Sequence, residues 1–166
     1  MPPSRQVIYV DTNVIIEATR TGCWKAILNK FDVRTVETVK KEALKVPADK
    51  SHYVPIDADL IANHVGVEKV GDAAVLMAST RASGIVALDA GERDLLAHVA
   101  AKTKDAWLIS TADRAAVKTA CELNLNHRLI SLEELATQCG QKPKLKDWFQ
   151  KKWLSNVRSQ FLLDSL

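Results

Sequence analysis

The sequence predicts an α/β fold in which helices sandwich a mainly parallel central sheet. Two short runs, residues 6–10 and 106–110, are rich in β-branched and aromatic side chains and carry apolar residues on both faces. Runs of this length and composition are typical of strands buried in the middle of a parallel sheet. Because predicted helices alternate with such strands along the 166 residues, we expect a three-layer α/β/α domain.

Shorter apolar stretches and helix signals complete this order. Further strands are predicted at residues 33–36, 53–56 and 127–130. Helices are predicted where good helix formers follow acidic or capping residues, as at Ser131 and Glu134, which have the spacing of a capping box. The predicted helices cover residues 14–19, 24–31, 37–45, 57–65, 72–82, 91–102, 112–123, 131–139 and 144–163.

Composition excludes several classes of protein. Apolar residues make up 47% of the chain and charged residues 26%, so we expect a folded protein rather than a disordered one. No apolar run approaches the roughly 18 residues of a membrane span, and the polar start is unlike a secretory signal. The three cysteines, Cys23, Cys121 and Cys139, form no CxxC pair, which favours a reducing, cytoplasmic location. Gly-rich phosphate loops and the GxSxG and HExxH patterns are absent.

The last 26 residues differ from the rest in charge. Residues 141–166 hold six basic and two acidic side chains, whereas residues 1–140 hold 17 basic and 18 acidic ones. We therefore divide the chain into an α/β domain, residues 1–140, and a basic amphipathic C-terminal helix, residues 141–166. The apolar side chains of that helix recur at spacings of three and four: Leu145, Trp148, Phe149, Trp153, Val157 and Phe161.

Acidic side chains follow the two clearest strands near the point where each one ends. Asp11 comes directly after the first strand, and Asp113 comes three residues after the second. Glu42 lies on the helix after the strand at 33–36, and Glu92 and Asp94 lie in the first turn of a later helix. Taken singly, these acids suit helix caps or solvated helix faces. Because ligands bind outside the carboxyl ends of parallel strands, we expect them to converge on one cleft.

A cleft lined by carboxylates is a candidate metal site. Clustered carboxylates repel one another and need a cation to coexist as anions. Their hard oxygen atoms suit Mg²⁺ or Mn²⁺. Such an ion activates water and polarises phosphoryl oxygens, so the pattern favours metal-dependent chemistry on a phosphate compound.

Four segments resemble those of the PIN-domain ribonucleases, and most closely the VapC-type toxins of toxin–antitoxin pairs. The segments are VIYVDTNVIIE, the helix that carries Glu42, LDAGERDLLAH and LISTADRAAV, and together they span about residues 6–135. The resemblance implies a parallel sheet sandwiched by helices. It also implies Mg²⁺- or Mn²⁺-dependent endonucleolytic cleavage of RNA.

The resemblance also implies roles for individual residues. It gives the catalytic and metal-binding roles to four acids: Asp11, Glu42, Asp94 and Asp113. Glu92 competes with Asp94 for the third place, and Glu37 competes with Glu42 for the second. Asn13 and Thr111 match the small polar residues that hold these acids or a metal-bound water. Whether one or two ions bind is left open.

The partners expected from the resemblance are RNA, a cognate antitoxin and a second copy of the chain in a homodimer. Arg114 and Lys118, one turn apart, either contact the RNA backbone or form an exposed basic helix face. In the C-terminal helix, Lys144, Lys151 and Arg158 recur every seven residues and are further candidates for RNA contact. That helix either packs on the body, docks a partner or guides RNA.

Two rival interpretations belong to other classes. A receiver-like signalling domain also carries an aspartate after a parallel strand, but here the acid after residues 106–110 comes late and is followed by Arg114. A PIN-like domain outside a toxin system, which processes or only binds RNA or a protein, shares the acids. Cleavage by the purified chain distinguishes a nuclease from a binding domain.

Overall fold

A four-stranded, all-parallel sheet forms the centre of the protein, as the sequence predicts. The computed structural model describes residues 4–102 and 104–166. The strands lie in the order β3-β2-β1-β4, and β1 pairs in register with β4, Val10 opposite Ser110. Ile8, Val33 and Ile109 on the three longer strands are fully buried, as expected for strands covered on both faces. The strands are β1 (Val7–Val10), β2 (Asp32–Val36), β3 (Gly66–Glu68) and β4 (Trp107–Ser110).

Within the described residues nine α-helices flank this sheet, consistent with three α/β/α layers. They are α1 (Thr12–Thr21), α2 (Trp24–Lys30), α3 (Glu37–Leu44), α4 (Ala58–His64), α5 (Asp72–Arg81), α6 (Ala90–Ala100), α7 (Arg114–Glu122), α8 (Leu132–Gln138) and α9 (Lys151–Asp164). Short 3₁₀ turns lie at Ser83–Ala87, Asn126–Arg128 and Asp147–Phe149. None of the described helices is long and apolar enough to cross a membrane.

Side-chain caps fix the starts of the helices that follow the central strands. Asp11 Oδ1 accepts a hydrogen bond from Val14 N at the start of α1, and Asp113 Oδ1 accepts one from Ala116 N at the start of α7. The predicted capping box of Ser131 and Glu134 is confirmed at α8. The two aspartates therefore have a local structural role whatever else they do.

Two strand assignments made from the sequence are wrong, and one strand was missed. Residues 53–56, predicted as a strand, lie in a loop that joins α3 to α4. Residues 127–130 form part of a 3₁₀ turn and then a single parallel bridge between Leu129 and Ile109, because the chain touches β4 at one point only. The edge strand β3 was not predicted, since its three residues include a glycine and contain no apolar run.

The predicted C-terminal helix is shorter than its sequence pattern indicates. Gln150 has an extended backbone (φ −86°, ψ 151°), so α9 begins at Lys151, and Lys144 lies outside it. The prediction that Lys144 shares a helix face with Lys151 and Arg158 is therefore wrong. Leu154 and Val157 are buried where α9 packs against α7 and α8, whereas Trp148 is 45% exposed. The described part of the tail thus packs on the body of the protein.

Candidate active site

Asp11 and Asp113 meet at the carboxyl edge of the two central strands. Asp11 directly follows β1, and its backbone N–H donates to the carbonyl oxygen of Ser110, the last residue of β4 (3.4 Å). Asp113 follows β4 after a two-residue turn. The parallel pairing of β1 and β4 therefore brings together two acids that are about 100 residues apart in sequence.

Asp11 is a buried carboxylate held by neutral donors. The whole residue is only 2% exposed, and its Oδ2 accepts a hydrogen bond from Thr111 Oγ1 (2.5 Å). Burial raises the pKa of Asp11 to about 6, and the negative charges of Asp113 and Glu42 add to this, while the bonds from Thr111 and Val14 oppose it. Thr111 Oγ1 also accepts from Asp113 N (3.3 Å), so this threonine links the two acids.

Glu42 connects three helices at the same edge. Its Oε2 accepts from Thr12 Oγ1 on α1 (2.8 Å), and its Oε1 accepts from the backbone N–H of Gly91 on α6 (3.0 Å). A Cβ atom on Gly91 would lie 2.9 Å from Cδ of Glu42, so the carboxylate occupies space that only glycine leaves free. Glu37, its competitor from the sequence, is exposed and lines a groove with lysines on the outer side of α3.

Glu92, rather than Asp94, is the third acid that faces this cleft. Burial raises the pKa of Glu92 to about 8, with further contributions from Asp113, Asp11, Asp89 and Glu42. Asp94 instead accepts a hydrogen bond from Thr38 and forms an ion pair with Arg93. Residues two apart on a helix point in directions about 200° apart, so α6 turns only one of these two acids toward the cleft. The structure thus places Glu92 near the other acids and Asp94 beside Thr38 and Arg93, and the metal-binding role of either acid stays a prediction.

Two residues near the cleft were missed in the sequence, and one was misplaced. Thr12 holds Glu42, whereas Asn13 is exposed and makes no side-chain hydrogen bond to an acid in the described part of the chain. Asp89, at the N-cap of α6, adds negative charge next to Glu92. The DTN segment indicated that a polar side chain after Asp11 contacts an acid, but not which one. That choice depends on which residues of α1 point toward α3.

We call Asp11, Glu42, Glu92 and Asp113 the acid cluster. No member of it forms an ion pair with a Lys, Arg or His among residues 4–102 and 104–166, whereas Glu17, Glu68 and Asp94 each have a basic partner there. Asp11 is buried and the other three acids are partly buried. Unpaired carboxylates that lie close together away from solvent favour binding of a cation or of protons.

The fit of a divalent ion rests on the chemistry of these donors. The cluster offers carboxylate oxygens, the ligands that Mg²⁺ and Mn²⁺ prefer, and it has no positive charge of its own within the described residues. In that same part of the chain, no group of three or more His, Cys, Asp or Glu side chains is arranged to hold a metal ion. The donor set fits the ion in charge and atom type, whereas the arrangement of these side chains does not form a complete set of ligands.

Of the basic residues proposed as RNA contacts, Arg114 and Arg158 are engaged within the chain, and the three lysines are exposed. Arg114 donates to Gln160 Oε1 (2.7 Å) and lies over the ring of Phe161, and Arg158 donates to two backbone carbonyls near α8. Both therefore help to attach α9 to the body. Lys118 is exposed on α7, and Lys144 and Lys151 are exposed in the tail.

The comparisons with known proteins assign no family. No protein-family model matches this sequence, and no curated protein matches it.

Proposed function

We propose that this protein is a metal-dependent endoribonuclease that hydrolyses RNA phosphodiester bonds. The observation that carries the proposal is the acid cluster, four carboxylates without a basic partner in the described residues, at the carboxyl edge of the sheet. The resemblance of the DTN and TADR segments to PIN-domain ribonucleases supports the same activity. It also leads us to propose that the chain acts as the toxin of a type II toxin–antitoxin pair.

Asp11, Glu42, Glu92 and Asp113 would hold Mg²⁺ or Mn²⁺. When bound, the ion supplies a Lewis acid for the attacking water and for the phosphoryl oxygens. The chain's own residues fix where the carboxylates point: Thr111 and Val14 N orient Asp11, and Thr12 and Gly91 N orient Glu42. This preorganisation would lower the cost of holding several negative oxygens close together around a cation.

Glu92 is suited to hold a proton in this arrangement. With a pKa of about 8, its carboxyl group is largely protonated at neutral pH as long as no cation balances the negative charge of the neighbouring acids. A neutral Glu92 binds a cation more weakly than the carboxylate does, but it also repels an incoming phosphate less. A cation bound to the cluster would lower the pKa of Glu92, and the proton on its Oε atom would pass to solvent water.

Replacing Asp11 with Asn tests the proposed activity. Asn caps helices as well as Asp, so Asp11→Asn keeps the start of α1 while it removes one charge from the cluster. We expect cleavage of single-stranded RNA in Mg²⁺ or Mn²⁺ to fall by about 100-fold or more. We also expect Mn²⁺ to raise the melting temperature of the wild type more than that of the variant.

The matched control is Asp57→Asn, which makes the same change at the N-cap of α4, outside the cluster. It should leave both cleavage and the Mn²⁺ effect unchanged. Full cleavage by a folded Asp11→Asn protein, with circular dichroism like that of the wild type, would contradict the proposal.

A second candidate function is binding of RNA or a protein without cleavage. It is favoured by the finding that no set of three potential ligands in residues 4–102 and 104–166 is arranged to hold a metal ion. A wild-type protein that binds single-stranded RNA but leaves it intact in both Mg²⁺ and Mn²⁺ would select this function.

We propose an antitoxin and a second copy of the chain as the protein partners. The exposed apolar side chains of Leu76, Met77 and Val86 are the kind of surface that such a partner covers. The three free cysteines fit the proposed cytoplasmic location. Light scattering of the purified chain tests the homodimer.

A further inference from the structure

A pocket opens directly beside the acid cluster and shares Glu42 with it. It lies between α1 and α3 and is closed by the loop that follows α3, with Ile16, Glu42 and Tyr53 in its wall. Its cavity of about 620 Å³ is within the usual size range for small-molecule and nucleotide sites. Glu42 uses both carboxylate oxygens for bonds to Thr12 and Gly91, which fixes the border between pocket and cluster.

The lining of this pocket is mostly apolar and aromatic, and its polar members are two acids, Glu42 and Asp49, and two residues with side-chain nitrogen atoms, Lys45 and His52. Ile16, Pro47 and Val54 supply apolar surface, and the half-buried Tyr53 supplies the aromatic ring. Lys45 and the exposed His52 bring nitrogen atoms to the same pocket. Predominantly apolar walls with a few polar groups are typical of sites that hold a flat heterocycle.

A polyanion that binds at the acid cluster needs a second binding surface. Four carboxylates repel RNA phosphates, so the affinity for RNA has to come from groups outside the cluster. On α7 and α9, Arg114 and Arg158 are bound within the chain, whereas Lys118 and Lys151 are exposed and line grooves that contain no member of the acid cluster. The pocket is closer, because Glu42 belongs to both sites.

We propose that this pocket binds one nucleobase of a single-stranded RNA segment whose phosphodiester lies at the acid cluster. The inference rests on the proposed ribonuclease function and adds a base-binding subsite to it. The base stacks on Tyr53 against the apolar wall, and Lys45 contacts a neighbouring phosphate. Single-stranded RNA is commonly recognised in this way, through unstacked bases on aromatic rings and phosphates on basic groups.

Substitutions at Tyr53 test the subsite by binding rather than by cleavage. The probe is a fluorescein-labelled, mixed-sequence oligoribonucleotide in EDTA, and the readout is its dissociation constant by fluorescence anisotropy. Because stacking on one aromatic side chain contributes substantially to binding, we expect Tyr53→Ala to bind about 5- to 100-fold more weakly. Tyr53→Phe keeps the ring and should stay within about twofold of the wild type.

Lys45 gives a second readout that a purely structural role would not move. Lys45→Ala should reduce the slope of log affinity against log salt concentration by about one, while Tyr53→Ala should leave that slope unchanged. Trp148→Ala is the matched control, because Trp148 is an exposed aromatic residue in the tail, outside the pocket. It should bind the probe like the wild type.

The outcomes separate the subsite from the proposed activity. Wild-type binding by a folded Tyr53→Ala protein, or a loss in Trp148→Ala instead, overturns the subsite, and cleavage that depends on Asp11 would still stand. Binding that depends on Tyr53 in a protein that never cleaves supports the subsite and refutes the nuclease. If Tyr53→Ala does not fold, Tyr53→Leu replaces it, and wild-type affinity of that variant overturns the proposal.

Discussion

Asp11 precedes α1 and Glu17 lies within it, and both are only 2% exposed, yet their pKa values shift in opposite directions. Burial disfavours the charge of Glu17, but hydrogen bonds from Arg20 and from Lys146 N outweigh it, so its pKa is lowered. Burial also disfavours the charge of Asp11, whose donors are neutral and whose other neighbours are acids, so its pKa is raised to about 6. At the same exposure the two pKa values thus shift in opposite directions, because the partners of the two carboxylates differ.

The difference separates a carboxylate with a structural role from one that is a candidate functional group. Glu17 accepts from Arg20 Nε (2.6 Å) and from Lys146 N (2.8 Å), so it attaches the start of the tail to α1. Asp11 keeps its negative charge without a basic partner in the described residues. A buried charge of this second kind is a candidate functional group, since a purely structural site is more stable when it is paired.

The largest expected contrast comes from removing one charge at each position. Glu17→Gln should lower the free energy of unfolding at pH 7 by about 2 kcal/mol, because Arg20 loses its ionised partner. Asp11→Asn should raise it by about 1 kcal/mol, because a destabilised charge disappears while the cap is kept. Urea unfolding without divalent ions measures both values. Destabilisation of equal size at both positions would refute the distinction.

Glu92 sharpens the comparison through pH. Its folded-state pKa of about 8 lies above its ordinary value of 4.5, so stability present at low pH is lost as the pH rises through this interval. The stability advantage of Glu92→Gln over the wild type should therefore grow from pH 5 to pH 8, reaching about 1–2 kcal/mol in the absence of metal.

Thermal unfolding in EDTA across this pH range provides the measurement, with the exposed Glu122→Gln on α7 as control. Added Mn²⁺ should reduce the advantage of Glu92→Gln at pH 8, because the wild-type carboxylate then has a cation. An advantage that is constant with pH would show that Glu92 is not held neutral.

Substitution of Gly91 is expected to change the free energy of unfolding least, and in opposite directions with and without the Glu42 carboxylate. In most helices Gly→Ala stabilises by about 1 kcal/mol, but here the added Cβ meets the carboxylate of Glu42. Gly91→Ala should thus destabilise the wild type by up to about 1 kcal/mol, and stabilise Glu42→Ala by a similar amount. A double-mutant cycle of urea unfolding compares the two backgrounds, and the same sign in both would show that Glu42 does not depend on Gly91.

The sequence predicted the elements whose signals are local and strong. β1 and β4 are apolar on both faces, and the capping box at Ser131 identifies α8 within one residue. β3 was missed and residues 127–130 were assigned wrongly, because their pairing depends on a neighbouring strand rather than on their own composition. The start of α9 was missed because the apolar spacing continues through Gln150, where the backbone is extended.

For the candidate site, it was easier to predict which acids follow the end of a strand than which side chains of a helix point toward them. Asp11 and Asp113 follow from where β1 and β4 end. The choice between Glu92 and Asp94 depends on the phase of α6, and a shift of one residue in its start rotates every side chain by about 100°. The pocket at Tyr53 had no signal in the sequence, because a loop far along the chain from Asp11 closes it.

The position of Asp11 and Asp113, each at a strand end and at a helix cap, has a consequence for the lifetime of the protein. The repulsion among the four acids is built in when the chain folds, before any ligand is present. If the proposed ion binds only the folded state, the fraction of unfolded molecules falls as the concentration of free ion rises. A protease that attacks the unfolded chain would therefore remove ion-free molecules first, so turnover of the protein would follow the supply of divalent ions.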